Sequence, residues 1–236
     1  MNVKLVPVED VSESTYDKTC GIESEVEKRF KYVIDYFQKH NPDPTTELKY
    51  KNGYELLVAV ILSARCTDKR VNMVTPALFE KYPSFDKLAK AKTDDVYDCI
   101  NSITFPNNKA DYLVRMANMV ITRFKGELPK NENELEKLPG VGRKTANVVV
   151  ATLFNKPTIG VDIHVSRVSE RIGLTTGAKN PLETEEQLAN NVPKEVASKM
   201  SHWLILHGRH ICTAIGPKCN RCGTKDVCRY YDINKW

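Results

Sequence analysis

Apolar residues recur at helical spacing along almost the whole chain. They lie three or four residues apart, which places them on one face of a helix, and the sustained alternation typical of strands is absent. Clusters of turn-forming residues at 41–44, 105–108, 138–142 and 155–157 separate these stretches. The pattern therefore predicts an all-α fold. The clearest apolar stretches are Val26 to Phe37, Tyr54 to Leu62, Ala110 to Phe124 and Val196 to His207.

The length and charge of the chain limit its class. Its 236 residues, 41% of them hydrophobic, are enough for one large domain or two small ones. The net charge is +5, with acidic residues in excess in segment 1–24 and basic residues in excess in segment 201–236. This asymmetry fits a protein that lays a basic face on a polyanion, although a solvated surface of mixed charge is a common alternative.

The sequence offers no candidate for a membrane-spanning helix or a secretion signal. Its apolar runs are short, the longest extending from Leu56 to Leu62, and no basic start followed by an apolar segment precedes them. We therefore expect an unprocessed cytoplasmic protein that does not bind membranes.

Residues 131–154 have the pattern of a helix, a tight Pro-Gly-Val-Gly turn and a second helix that begins near Arg143. The turn predicts that the N–H groups of Gly140, Val141 and Gly142 lie at a helix N-terminus. The orphan amides and the macrodipole favour an anion there, so a DNA phosphate could bind without any base contact. A glycine-assisted connection without a ligand is an equally good interpretation of the turn taken alone.

Two charged residues stand at predicted helix starts. Lys144 could contact a phosphate as a point charge or act as an amine nucleophile, and the first role is the commoner one for a lysine judged in isolation. Asp162 precedes a helical stretch, where it predicts an N-cap. A capped carboxylate stays ionised, which is the state needed to stabilise positive charge on a sugar ring. His164, two residues further on, is interpreted as structural.

The chain has seven cysteines, four of them in a single segment with the spacing Cys212-x6-Cys219-x2-Cys222-x5-Cys228. An odd count without a secretion signal argues against disulfides. Four thiolates from one loop can hold a cubane iron–sulfur cluster or a tetrahedral zinc ion. Zinc sites usually use two Cys-x2-Cys pairs and only one is present, so the spacing favours iron and sulfur. The remaining cysteines are expected to be reduced thiols: Cys20, Cys66 and Cys99.

Basic residues surround the cysteine segment. Lys218 lies between the first two cysteines, in a loop that could present it to a phosphate. Because a cluster with four thiolates is itself anionic, the neighbouring cations could also neutralise it. These cations are Arg209, Lys218, Arg221, Lys225 and Arg229.

Together these motifs resemble the endonuclease III family of the helix–hairpin–helix DNA glycosylases. The resemblance extends over residues 25–236, and each motif matches in content and in order. It implies a six-helix barrel domain at 46–156 and a discontinuous iron–sulfur domain formed by 25–45 and 157–236, with DNA in the groove between them. Residues 1–24 would be an N-terminal extension. The matching segments are Leu138–Val150, Val161–Val165, His202–Gly208 and the four-cysteine segment.

The resemblance also implies roles for individual residues. Lys144 matches the Schiff-base lysine of the family and Asp162 its catalytic aspartate, which reverses the preference stated above for a phosphate-binding lysine. The implied protein is a monomer with a [4Fe–4S] cluster, acting on double-stranded DNA that contains a damaged base or an abasic site. It would remove oxidised pyrimidines and then cleave the strand by β-elimination.

Two loops depart from the family pattern. Arg65 stands where the family commonly has a glutamine that fills the gap left by the extruded nucleotide. Phe105 occupies the position of the wedge residue, but Thr104 and Pro106 replace the usual glycine and aromatic residue. An enzyme cannot reach the glycosidic bond inside the base stack, so extrusion of the base is expected.

Two alternatives remain at this stage. A monofunctional adenine glycosylase that acts on mispairs shares the hairpin, the aspartate and the cluster, but it lacks a lysine at position 144 and has an additional C-terminal domain. A non-enzymatic DNA-binding or redox-sensing iron–sulfur module is the alternative from another class. The pairing of Lys144 with Asp162 argues against both.

Overall fold

The computed structural model describes residues 24–234, which form α-helices and two short 3-10 turns, with no strand in that range. The predicted all-α class is confirmed. The proposed extension 1–24 lies outside the described residues except for Ser24, and so does Cys20. The helices are α1 (Glu25–His40), α2 (Gly53–Ser63), α3 (Asp68–Lys81), α4 (Phe85–Ala89), α5 (Thr93–Ile100), α6 (Pro106–Phe124), α7 (Glu132–Leu135), α8 (Arg143–Phe154), α9 (Ile163–Ile172), α10 (Pro181–Asn191), α11 (Lys194–His210) and α12 (Arg229–Ile233).

Local sequence signals explain where individual helices begin. Ser24 and Glu27 form a reciprocal capping box at the start of α1, with each side chain accepting the other residue's backbone N–H. The predicted turn at 105–108 is shorter than expected, because α6 already begins at Pro106. Proline suits the first helical position, where no N–H is needed, so the turn lies at 101–105 and only Phe105 of the predicted turn residues remains outside the helix.

The buried side chains form two separate cores. The first is built by α2 to α8 around α2, in which Leu56, Leu57 and Leu62 are completely buried. The second joins α1 to α9, α10 and α11. Its centre is Trp203, whose indole Nε1 donates to the Asn41 carbonyl at 2.7 Å. This packing brings the first described helix against the C-terminal half of the chain.

The two cores follow the domain ranges implied by the resemblance. The range 46–156 contains α2 to α8, of which α4 and α7 are short. The ranges 25–45 and 157–236 contribute the second core, as far as they are described. We propose these ranges as the two domains. None of the helices in the described part of the chain is long and apolar enough to span a bilayer.

A cleft of about 1270 Å³ lies between the two cores. It is lined by the loop that joins α2 to α3 and by the first turns of α8 and α9. Arg209 on α11 crosses between the cores and pairs with Glu47 and with Asp68 at the start of α3. The fold therefore places residues from both halves of the chain around one cavity.

Candidate active site

Lys144 and Asp162 meet at the cleft although they lie on different helices. Lys144 is in the first turn of α8, and Asp162 is the N-cap of α9. The Lys144 Nζ atom donates to Asp162 Oδ2 at 3.2 Å. Gly160 permits this approach, because a Cβ atom there would lie 2.8 Å from a methyl group of Val148 and 3.5 Å from the Lys144 carbonyl. A side chain at position 160 would push the segment before α9 away from α8.

The Asp162 carboxylate is held by several donors. Its Oδ1 atom accepts the N–H groups of His164 at 2.8 Å and Val165 at 2.9 Å, so Asp162 caps α9 as its position predicted. Burial would raise the pKa of Asp162, but the Lys144 charge and the Val165 amide outweigh it and the pKa lies below the ordinary value of 3.8. Asp162 is therefore ionised at neutral pH.

The cleft has more cationic than anionic side chains. Its anions are Glu47, Asp68, Asp162 and Glu170, and each is paired with Arg209, Lys144 or Arg229. Four cations of the lining form no ion pair within residues 24–234: Arg65, Lys69, Arg167 and Arg171. Arg167 and Arg171 donate to backbone carbonyls at the end of α11 and just beyond it. Arg65 and Lys69 are therefore the two whose charge is available to a polyanion.

The predicted turn is present between α7 and α8. Gly140 has a φ of +78°, and a Cβ atom there would lie 3.0 Å from Tyr112 and 3.2 Å from Ile61. Gly142 is the N-cap of α8 and has no capping side chain, so the first-turn amides of α8 lack a helical acceptor. The Val141 N–H donates to the Leu138 carbonyl at 3.0 Å and its side chain is buried, so Val141 helps to hold the turn. Phosphate binding by Gly140, Val141 and Gly142 stays a prediction.

The four clustered cysteines line one small cavity. Donors lie near two of the sulfurs: Arg171 Nη1 is 3.5 Å from Cys212 Sγ, and Thr224 Oγ1 is 3.2 Å from Cys222 Sγ. The described cysteines are all free thiols, including Cys66 and Cys99. Between residues 24 and 234, no group of three or more His, Cys, Asp and Glu side chains is arranged to hold a single metal ion. The cavity is lined by Cys212, Cys219, Cys222 and Cys228.

Comparisons with known proteins agree with this architecture. Residues 58–194 match the family described as HhH-GPD superfamily base excision DNA repair protein. The endonuclease III of Rickettsia prowazekii (strain Madrid E) is 46% identical over 199 residues, which cover 84% of this chain and 93% of that protein. The Escherichia coli (strain K12) endonuclease III is 40% identical over 198 residues, with 84% and 93% covered. The chain belongs to the endonuclease III family.

Solved structures give the same result. A trapped endonuclease III–DNA covalent intermediate has a TM-score of 0.84 and 41% identity, and the match covers 89% of this chain and 99% of that one. A non-covalent endonuclease III–DNA complex also has a TM-score of 0.84, with 42% identity and 89% and 98% covered. These findings confirm the predicted base-excision DNA glycosylase with lyase activity, and they do not favour the two alternatives.

In this endonuclease III family member, the two loops that depart from the pattern are both exposed. Arg65 lies on the rim of the cleft with a φ of 54°. The side chain of Phe105 is 54% exposed, and its φ is 56°. Lys218 is exposed on the loop between the first two cysteines, away from the Lys144–Asp162 pair.

Some residues of the site were not anticipated from the sequence. Arg209 does not serve the cysteine segment, because its guanidinium is held by Glu47 and Asp68. Among the described residues, Arg171 on α9 is a cation that contacts a cysteine sulfur, and it also stacks on the Tyr230 ring at 4.6 Å. Since 41 residues separate Arg171 from Cys212, no local pattern could have joined them. Arg143, the neighbour of Lys144 in sequence, donates two hydrogen bonds to the Glu185 carboxylate.

Proposed function

We propose that this chain is a bifunctional DNA glycosylase and AP lyase that removes oxidised pyrimidines through a Schiff base on Lys144. The observation that carries the proposal is the pair formed by Lys144 and Asp162, which holds a primary amine and an ionised carboxylate 3.2 Å apart at a cleft. The amine can act as a nucleophile once it has lost its proton, and the carboxylate can stabilise positive charge. The proposed setting is the cytoplasm, in association with DNA.

The first step would release the damaged base. With the nucleotide extruded into the cleft, the Lys144 ammonium gives one proton to solvent and its Nζ atom attacks C1′ of the sugar. The glycosidic bond breaks, its electron pair leaves with the base, and the base takes up a proton from the alkylated Lys144 nitrogen. Positive charge develops on the sugar ring, where Asp162 faces it in place of the ammonium that it binds in the free enzyme.

The second step would cut the strand. The C1′–O4′ bond opens, O4′ takes up a proton, and an iminium joins Lys144 to C1′. Loss of a proton from C2′ then expels the 3′ phosphate as the C3′–O3′ bond breaks. Water hydrolyses the imine and returns the free amine.

DNA binding would combine several elements. A phosphate would bind at the turn formed by Gly140, Val141 and Gly142, where the α8 N-terminus favours an anion. The Val141 N–H already donates to the Leu138 carbonyl, so Val141 would contribute by holding the turn. Lys218 would contact a phosphate from its exposed loop. Phe105 would enter the base stack as a wedge, and Arg65 would occupy the vacated gap. The phosphate contacts carry no base information, so they anchor the duplex whatever its sequence.

We propose that Cys212, Cys219, Cys222 and Cys228 hold a [4Fe–4S] cluster. The four thiols line one cavity, and their segment contains only one Cys-x2-Cys pair where zinc sites usually use two, which favours a multi-iron cluster. Arg171 is a suitable counter-charge, because it lies 3.5 Å from Cys212 Sγ. A bound cluster would fix the loop through four bonds and provide a redox couple.

Metal analysis tests the cluster assignment. Purified protein should be yellow-brown and contain about four irons per chain, as one cubane on four thiolates requires. Cys222→Ser should lose iron and the associated absorbance, whereas Cys99→Ser, outside the cavity, should retain both. Stoichiometric zinc without iron would contradict the assignment.

Borohydride trapping tests the nucleophile. Wild-type protein should become fixed covalently to lesion DNA, and a panel of single-lesion duplexes would define the bases that it removes. Lys144→Gln should form no adduct but should still bind, because the hairpin amides remain. Lys69→Gln is a matched control, since it removes another cleft cation and should still be trapped. If Lys144→Gln were trapped and nicked DNA at the wild-type rate, the amine would have to come from elsewhere.

A further inference from the structure

Arg65 and Phe105 lie on different loops but have the same unusual backbone. Arg65 follows α2 and Phe105 precedes α6, and both have a left-handed φ, of 54° and 56°. Residues other than glycine adopt this region rarely, and the surrounding structure must hold them there. Arg65, Thr104 and Phe105 are exposed, while Ile103 is buried in the first core, so hydrogen bonds to the exposed part of each loop add to that buried anchor.

Two side chains from the Phe105 side provide that support. The Thr104 hydroxyl donates to the Arg65 carbonyl at 2.8 Å. The Lys109 ammonium, on a residue that is only 4% exposed, donates to the Leu62 carbonyl at 2.8 Å and the Ala64 carbonyl at 2.7 Å. These bonds satisfy carbonyls at the end of α2, where a helix leaves its last acceptors unpaired. Lys109 thus holds the loop at its buried base and Thr104 at its exposed tip.

The contact from Thr104 depends on one of the departures of this chain from the family pattern. A glycine at position 104 has no hydroxyl and could not reach the Arg65 carbonyl. Thr104 is also adjacent to Phe105 in sequence. A single hydrogen bond therefore joins the backbone of one exposed residue to the immediate neighbour of the other.

We propose that Thr104 is a positioning residue that couples Arg65 and Phe105, so that the two loops enter duplex DNA as one preformed unit. The inference rests on the function proposed above, in which these side chains act as gap filler and wedge. Ordering two independent loops on binding costs conformational entropy, and a loop that is already held in place avoids part of that cost. The coupling should matter only where a base stack has to be opened.

The test compares duplex and single-stranded substrates. Thr104→Val keeps the shape of the side chain but removes the donor, and Thr104→Ser restores the donor. Under single-turnover conditions, base release from a duplex lesion should fall about 3- to 10-fold in Thr104→Val, the range expected for one net hydrogen bond. Strand cleavage at an abasic site in a single-stranded oligonucleotide should stay within about twofold of wild type, since no stack is opened. Thr104→Ser should recover the duplex rate.

Two further variants make the comparison specific. Thr122→Val is the matched control. The Thr122 hydroxyl also donates to a backbone carbonyl at 2.8 Å, that of Asn118, but both residues lie within α6 and neither belongs to the two loops. This variant should leave both rates unchanged. Phe105→Ala should itself slow duplex base release, and adding Thr104→Val to it should cost less than in wild type, because coupled residues are not additive.

The outcomes separate this inference from the proposed function. If Thr104→Val released bases from duplex DNA at the wild-type rate, or slowed both substrates equally, the coupling would be refuted. Full additivity with Phe105→Ala would also refute it. Failure of the proposed function would look different, since wild-type protein would then form no borohydride adduct with the single-stranded abasic oligonucleotide.

Discussion

Asp162 uses its two carboxylate oxygens for different purposes. One accepts the first-turn amides of α9, and the other accepts the Lys144 ammonium. Burial opposes ionisation, but Lys144 and the Val165 amide keep the pKa of Asp162 below 3.8. A group with a lowered pKa stabilises the fold at pH values above its ordinary pKa and loses this effect as pH falls through the folded value. Acid inactivation that depends on Asp162 should therefore begin only below pH 3.8.

Replacing this residue separates its two purposes. Asp162→Asn keeps an amide oxygen for the helix cap but removes the charge. Base release should fall about 100-fold or more, the scale of losing one electrostatic stabiliser. The Tm should change by only a few degrees, because asparagine caps nearly as well as aspartate and Lys144, with its side chain 45% exposed, remains solvated. A large loss of Tm together with wild-type turnover would mean that Asp162 serves the fold alone.

At the level of elements, α1 forms hydrogen bonds with the cysteine segment, which lies near the other end of the chain. The Tyr32 hydroxyl donates to the Gly223 carbonyl at 3.3 Å, and Arg29 Nε donates to the Val227 carbonyl at 3.2 Å. Gly223 lies directly against the Tyr36 ring, where a Cβ atom would come within 2.1 Å of the ring. The glycine is therefore required by close packing and not by a left-handed φ. Helix α1 acts as a support for the loop that carries Cys222.

A double-mutant cycle tests this support. Gly223→Ala should destabilise the protein by about 1–3 kcal/mol, as overpacking does, and should speed the loss of the iron absorbance in air. In a Tyr36→Ala background the same substitution should cost much less, because the colliding ring is gone. Thermal unfolding and the absorbance decay measure both effects. Equal penalties in the two backgrounds would show that the Tyr36 ring does not limit position 223.

At the scale of the whole molecule, the sequence predicted the helices and the motifs better than it predicted the contacts between residues that are distant in the chain. The apolar spacing gave the all-α class, and the four-cysteine segment was located by spacing alone. The approach of Lys144 to Asp162 was expected only from the family resemblance. It depends on close packing of the Gly160 backbone against Val148 on α8, which no local pattern shows. Arg171 could not be assigned from the sequence, because its contact with Cys212 exists only after α9 and α11 have packed.

Arg209 forms one of the ion-pair bridges between the two cores, beside Lys144–Asp162 and Arg143–Glu185. It extends from α11 to Asp68 Oδ2 at 2.6 Å and to Glu47. The Asp68 side chain is only 9% exposed and the Arg209 side chain 29% exposed. Removing the guanidinium would leave a buried carboxylate without its partner, which costs more than the loss of a surface ion pair.

Arg209→Met should therefore lower the free energy of unfolding by about 1–3 kcal/mol, less than for a fully buried pair because Arg209 is partly solvated. Asp68→Asn added to Arg209→Met should recover part of this loss, since no unpaired charge is then buried. Arg115→Met is the control: it breaks an exposed pair with Asp111 within α6 and should change the Tm by less than about 1 °C. Denaturant and thermal unfolding of wild type, Arg209→Met, Asp68→Asn, the double variant and the Arg115→Met control measure these differences. If Arg209→Met and Arg115→Met were equally mild, the pair at Asp68 would behave as a surface contact and would contribute little to holding the two cores together.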